Sequence, residues 1–145
     1  MKTKDILTIH AMLNEQGKTL QKVESDDAKF DIIMLASKMR KIADDYKELL
    51  TDASEKLKGA NHDEVMSQLA KWRNEGTEAL TQDERIAVNR YLADYQKKVE
   101  KCVEPEAEKE HDIDTKPLKD NMKGIILSYG WDVNTADQFI KIVES

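Results

Sequence analysis

The sequence predicts an all-α protein, a bundle of about five to six helices, and three observations support this fold class. Apolar residues recur at spacings of three and four through most of the chain, as they do on one face of a helix. The chain has only five Gly and two Pro, whereas an all-β fold would normally use more of both in its turns. Charged residues make up 36% of the sequence, which is typical of helices with one apolar stripe and a wide charged face.

Two helical segments are predicted in the N-terminal part of the chain. The first runs from Thr3 to Glu24 and contains Gly17, so it is compatible with two short helices or with one helix that has a weak joint. The second is a long amphipathic helix from Asp27 to Lys58. Its apolar seam alternates steps of three and four: Ile32, Leu35, Met39, Ile42, Tyr46, Leu49 and Ala53. Such a seam follows a neighbouring helix, either within one chain or in a coiled coil between copies of the chain.

Two more helices are predicted, from His62 to about Asn74 and from Gln82 to about Lys101. Thr81 and Glu84 match the capping box, in which each side chain bonds to the other residue's backbone N–H. Cys102, the single cysteine, ends the apolar stripe of the fourth segment and is expected to be a small buried side chain. One cysteine cannot form an intramolecular disulfide, which fits a reducing cytosol.

An acid-rich stretch follows, in which Pro105 is expected to break the helical pattern. Its acidic residues occupy alternate positions: Glu104, Glu106, Glu108, Glu110, Asp112 and Asp114. We predict that residues 104–116 form an exposed linker that is extended by its own charge repulsion. The same residues are a candidate surface for a protein with a basic face, and the two roles, tether and recognition element, stay open.

The C-terminal part, 117–145, is apolar again and predicts a compact pair of helices. Pro117 suits the first turn of one helix, and Asn134 or Thr135 would cap the last. The apolar residues that need a neighbour, and that therefore form a second candidate partner surface, are Trp131, Phe139 and Ile140. The predicted organisation is a main bundle at 1–103, the acidic linker at 104–116 and the helical pair at 117–145, packed on the bundle or tethered to it within one domain.

Composition also limits the partners and the chemistry. The 29 acidic and 23 basic residues give a net charge of −6, which disfavours direct binding to nucleic acid or to anionic membranes. No apolar run approaches the ~20 residues of a membrane-spanning helix. His10, His62 and His111 lie far apart and match no metal or catalytic motif, so we predict no cofactor, no metal site and no catalytic residues.

The order of these parts resembles small helical proteins encoded by tailed phages and prophages. A short first helix precedes a long amphipathic helix from Phe30 to Leu57, then a capped helix, an acid-rich stretch and an apolar tail ending in Gln138-Phe139-Ile140-Lys141-Ile142. The resemblance covers most of the chain and rests on this pattern. It implies a phage or mobile-element context, with a bacterial cytoplasm or a virion as the location, and it implies no activity or site residue.

Three functions compete at this point. The first is a non-catalytic protein-binding module, an inhibitor or adaptor of another protein, which suits an acidic surface on a helical core. The second is a structural or assembly subunit, such as a virion component, that forms homo-oligomers through the long helix. The third is an enzyme whose site is assembled from scattered residues.

Overall fold

The computed structural model describes all residues, 1–145, and confirms the all-α fold class. Its seven helices are α1 (Thr3–Leu13), α2 (Asp26–Lys56), α3 (His62–Glu75), α4 (Gln82–Ala107), α5 (Lys116–Asp120), α6 (Met122–Tyr129) and α7 (Val133–Glu144). A short 3-10 turn, Thr77–Ala79, precedes α4. The long second helix and the third helix therefore begin and end within two residues of their predicted bounds.

The chain packs as two compact units, one formed by Met1–Tyr46 and Glu106–Ser145, the other by Lys47–Pro105. The first part of α2 belongs to the first unit and its last part to the second. In the first unit, α7 packs against α1 and α5. This packing groups the C-terminal helices with the N-terminal helix. The division into 1–103, 104–116 and 117–145 within one domain stays a prediction.

The first unit has a continuous apolar core. Its buried side chains are Ile6, Ile9, Leu13, Val23, Ile32, Leu35, Met39, Leu118, Ile125, Tyr129, Phe139 and Val143. The buried Tyr129 hydroxyl donates a hydrogen bond of 2.5 Å to the Leu13 carbonyl oxygen and so joins the end of α6 to the end of α1. Gly124 lets α6 approach the turn that precedes α2 closely, because a Cβ at Gly124 would lie 2.9 Å from the Lys22 carbonyl oxygen.

The second unit has a smaller core, formed by Val65, Leu80 and Val88 with four partly buried neighbours, Leu69, Trp72, Tyr91 and Leu92. The capping box at the start of α4 is confirmed. The Glu84 N–H donates to the Thr81 hydroxyl at 3.1 Å, and the Thr81 N–H donates to the Glu84 carboxylate at 2.9 Å. The Thr81 backbone N–H, with a smaller contribution from the Thr81 hydroxyl, lowers the pKa of the Glu84 carboxyl group.

The predicted end of the fourth helix was wrong, because α4 passes Lys101 and continues to Ala107. Pro105 lies inside its final turns, where the missing N–H removes only one bond of a helix end that already has unpaired carbonyl groups. Val103 in these turns is buried. Cys102, which lies about 100° from Val103 around the helix, is exposed, contrary to the prediction that this cysteine is buried.

The predicted second helical piece of the N-terminal segment is also absent. After α1 the chain forms only turns and irregular backbone until α2 begins. Gly17 adopts a φ of +78° in one of these turns, a conformation that glycine reaches without steric cost and that a continuous right-handed helix excludes.

The C-terminal part differs from the prediction in two details. The expected helix after Pro117 is interrupted between α5 and α6 at Asn121, whose side-chain amide donates to the Pro117 carbonyl oxygen at 2.8 Å. The last helix is capped by Asp132, which accepts a 2.8 Å bond from the Thr135 N–H, and neither Asn134 nor Thr135 serves as the cap. The cap precedes the predicted positions because α7 starts one residue earlier than Asn134.

Candidate functional site

The predicted acidic linker is held along the N-terminal residues of the first unit. The Glu108 carboxylate accepts bonds from the Lys2 and Lys4 ammonium groups at 2.7 and 2.5 Å. These bonds lower the pKa of Glu108 from an ordinary value of 4.5 to about 2. An isolated bridge between Lys2 and Glu110 runs beside them. The segment is therefore attached at its first half and is not a free tether there.

The other acidic residues of this stretch point to different neighbours. Glu110 pairs with the Met1 ammonium group at 3.0 Å. Asp114 accepts a 3.0 Å bond from the Lys116 N–H, while Asp112 is exposed and its backbone carbonyl accepts from Lys38. The two remaining carboxylates, Glu104 and Glu106, lie exposed on the last turns of α4. Their alternation in sequence therefore does not produce one continuous acidic face.

The pairing of Glu108 predicts a pH effect on stability. A carboxylate whose pKa is lowered on folding stabilises the fold fully above its unfolded pKa, near 4.5, and this contribution disappears as the pH falls toward about 2. We expect Glu108→Gln to lower the melting temperature at pH 7 and to leave it unchanged near pH 2. The control is Glu106→Gln, whose side chain has no partner, and an equal loss in both variants at pH 7 would contradict the pairing.

The second predicted surface contains one core residue and two half-buried residues. Phe139 is fully buried, so it cannot contact a partner in this structure, and that part of the prediction is corrected. The rings of Tyr129, Trp131 and Phe139 pack in series, with centroid separations of 4.9 and 5.0 Å. Trp131 and Ile140 are each half-buried. The apolar groups that seemed to need an external neighbour find it within the first unit, because α7 packs against α1.

Sequence reasoning missed an apolar surface on the outer face of α2. Phe30, Ile33 and Met34 are 60%, 57% and 54% exposed, respectively. Their spacing of three and four places them side by side on the helix, opposite the buried seam. We call these three residues the α2 ridge. The sequence does show these residues as a second apolar stripe on α2. The sequence-based prediction assigns only the seam to an apolar contact and gives this second stripe no role.

A groove runs along one flank of the α2 ridge, between α2 and the segment that leads into α5, with a volume of about 890 Å³. We call it the acidic groove. Its apolar lining consists of Ala28, Leu35 and Pro117, with Met34 of the ridge also lining it. Its charged lining consists of four carboxylates and two ammonium groups: Asp27, Asp31, Asp114, Asp120, Lys38 and Lys116.

A smaller groove of about 280 Å³ lies along the other flank. Ile33 of the ridge and Ala36 line it from α2, and Leu13 and Tyr129 line it from the neighbouring elements. The α2 ridge therefore stands between two concave surfaces of the first unit. Together they form a raised apolar strip with a groove on each side, a shape suited to contact with another macromolecule.

The remaining chemistry-bearing side chains have structural neighbours. His62 bonds to the Tyr91 hydroxyl at 2.6 Å, and His111 bonds to the Thr3 hydroxyl at 2.8 Å. His10 is buried in α1. Nowhere do three or more His, Cys, Asp or Glu side chains converge in a way that could hold a metal ion. None of the helices combines the length and the apolar character needed to cross a membrane.

Comparison with known proteins gives no family to transfer a function from: no protein-family model, no curated protein and no solved structure matches the chain.

Proposed function

We propose that the chain is a non-catalytic protein-binding module that acts as an inhibitor or adaptor of another protein. The observation that carries this proposal is the α2 ridge, three large apolar side chains that are each more than half exposed at adjacent positions of one helix. Single exposed apolar residues are common on soluble proteins, but clusters of them mark interaction surfaces. The histidines, which would be the first candidates for acid–base catalysis, lie apart in sequence and have structural neighbours.

Magnitudes indicate how much surface the partner must cover. Burying the exposed halves of three large apolar side chains would contribute roughly 2–4 kcal/mol. Association costs about 4–15 kcal/mol in lost translational and rotational freedom, so the ridge alone cannot hold a partner. The partner must therefore also cover further surface, and the two grooves that flank the ridge are the concave surfaces next to it.

The sequence pattern resembles small helical proteins encoded by phages and prophages. If the chain has that origin, the module would act in the cytoplasm of a bacterial host, on a host or phage protein. A structural role, as a virion or assembly subunit, is a second candidate. It is favoured by Leu49, which is 38% exposed although it belongs to the apolar seam of α2, as expected if a second copy covers it.

The proposal is tested by affinity capture from the organism that encodes the chain, with two triple variants beside the wild type. The ridge variant carries Phe30→Ala, Ile33→Ala and Met34→Ala. The control variant removes three exposed apolar side chains from other helices, Met66→Ala, Ile86→Ala and Leu127→Ala. We expect one or more proteins to be retained by the wild type and by the control variant and to be lost from the ridge variant.

Retention of the same proteins by the ridge variant would overturn the proposal. Both variants change only exposed positions, and surface substitutions usually change stability by less than about 0.5 kcal/mol each. Circular dichroism melting of both variants checks that a lost partner reflects a lost contact and not an unfolded chain.

A further inference from the structure

We infer that the acidic groove beside the α2 ridge binds a basic amphipathic segment of the partner protein. This inference rests on the proposed function and deepens it by naming the chemistry of the partner. The groove joins two features that such a segment would need at once. It has an apolar lining, and it carries carboxylates on both of its walls.

Three of the four carboxylates that line the groove are available to a partner. None of Asp27, Asp31 and Asp120 forms an ion pair or a side-chain hydrogen bond within the chain. Asp27 and Asp31 lie one helical turn apart on α2, whereas Asp120 ends α5 on the opposite wall. A basic side chain between the walls would therefore approach carboxylates from two sides.

The two ammonium groups of the groove do not cancel this charge. The Lys38 ammonium group donates a hydrogen bond of 3.2 Å to the carbonyl oxygen of Asp112, a residue outside the groove lining. Lys116 is exposed beside Asp114, whose carboxylate accepts the Lys116 backbone N–H. With four carboxylates and two ammonium groups, the groove keeps a net charge of −2. An acidic segment would be repelled, and a neutral one would leave the unpaired carboxylates without a partner.

The apolar surface explains why the segment must be amphipathic. Leu35, Ala28 and Pro117 line the groove, and Met34 connects this lining to the ridge. A helix with apolar residues at spacings of three and four could place them over this strip, and its Lys or Arg residues could reach the walls. The acidic stretch at 104–114 is a weaker candidate for the same role, because Glu108 and Glu110 are already paired with ammonium groups of the N-terminal residues.

The experiment measures fluorescence anisotropy of labelled peptides with the full chain. The first probe is a Leu/Lys amphipathic helix of about 18 residues, long enough to form a helix. The second probe replaces its Lys by Glu, and the third replaces its Leu by Ser. We expect only the first to bind with a dissociation constant below about 100 µM at low salt, and added salt to weaken this binding.

Two chain variants with the same change in net charge locate the site. Asp27→Asn, Asp31→Asn and Asp120→Asn should weaken binding of the first peptide about tenfold, as expected from the loss of three exposed ion pairs. Asp44→Asn, Asp45→Asn and Asp52→Asn remove three exposed carboxylates elsewhere on α2 and should leave binding unchanged. Met34→Ala should also weaken it.

Three results would overturn the inference: no binding of the first peptide, equal binding of the Ser-substituted peptide, or equal losses in the two Asn variants. The last would mean general attraction of a basic peptide to an acidic protein. The proposed function fails separately, when the ridge variant keeps the captured partner. If the ridge variant loses that partner but the groove variant keeps it, the module binds a protein and only the basic segment is wrong.

Discussion

Replacing Phe139 with alanine is expected to lower the free energy of unfolding by about 3–5 kcal/mol. Phe139 is fully buried in the core of the first unit and packs on the ring of Trp131. The substitution removes the transfer energy of a large ring and leaves a cavity that α1, α5 and α7 can close only in part. A loss of this size is a large fraction of the stability of a typical domain, so part of the population would unfold at moderate temperature.

The chain provides a matched control, since its only other phenylalanine is Phe30 of the α2 ridge. Phe30 is 60% exposed, so Phe30→Ala should change the free energy of unfolding by less than about 0.5 kcal/mol. Urea unfolding followed by circular dichroism measures both variants. Equal losses would mean that Phe30 is also buried in the isolated protein. A negligible loss for Phe139→Ala would mean that α7 does not contribute to the core. Phe139 would then again be a candidate residue of a partner surface.

Features set by neighbouring residues could be predicted from the sequence. The capping box needs only Thr81 and Glu84, three residues apart, and both of its bonds are present. The start of α2 follows from Asp26 and Asp27, the acidic residues of its first turn, which act over about one turn. Pro105 shows where a local rule fails, because a proline in the final turns of a helix removes only one hydrogen bond and need not end the helix.

Features that depend on distant residues could not be predicted. Glu108 is joined to Lys2 and Lys4, more than 100 positions away in sequence, and no spacing rule brings them together. The same holds for Phe139, whose exposed or buried state is decided by the packing of α7 on α1. The α2 ridge shows the opposite difficulty. Its stripe is visible in the sequence, but periodicity alone does not say which of two apolar stripes on one helix faces the core.

The limit of periodicity as a predictor of burial can be measured on the seam of α2, because Leu35 and Leu49 occupy the same position of its seven-residue repeat. The repeat treats the two leucines alike, so the sequence predicts similar burial. In the structure Leu35 is 8% exposed and lies in the core of the first unit, whereas Leu49 is 38% exposed. Past Met39 the buried position moves from the seam residue Ile42 to its neighbour Ala43, because a straight helix drifts relative to a strict seven-residue repeat, although Ala53 of the seam is buried again.

We therefore expect Leu35→Ala to lower the free energy of unfolding by about 2–5 kcal/mol and Leu49→Ala to lower it by less than about 1 kcal/mol. Urea unfolding at two protein concentrations measures both, and it separates burial within the chain from burial between copies. If Leu49→Ala costs as much as Leu35→Ala and the wild type becomes more stable with concentration, a second copy covers Leu49. That result would favour the second proposed function, a structural or assembly subunit, since the seam would then be buried by self-association as in a coiled coil. A small, concentration-independent loss of unfolding free energy for Leu49→Ala would mean that no second copy covers Leu49. The α2 ridge would then be the main exposed apolar surface of α2, which agrees with the proposed protein-binding function.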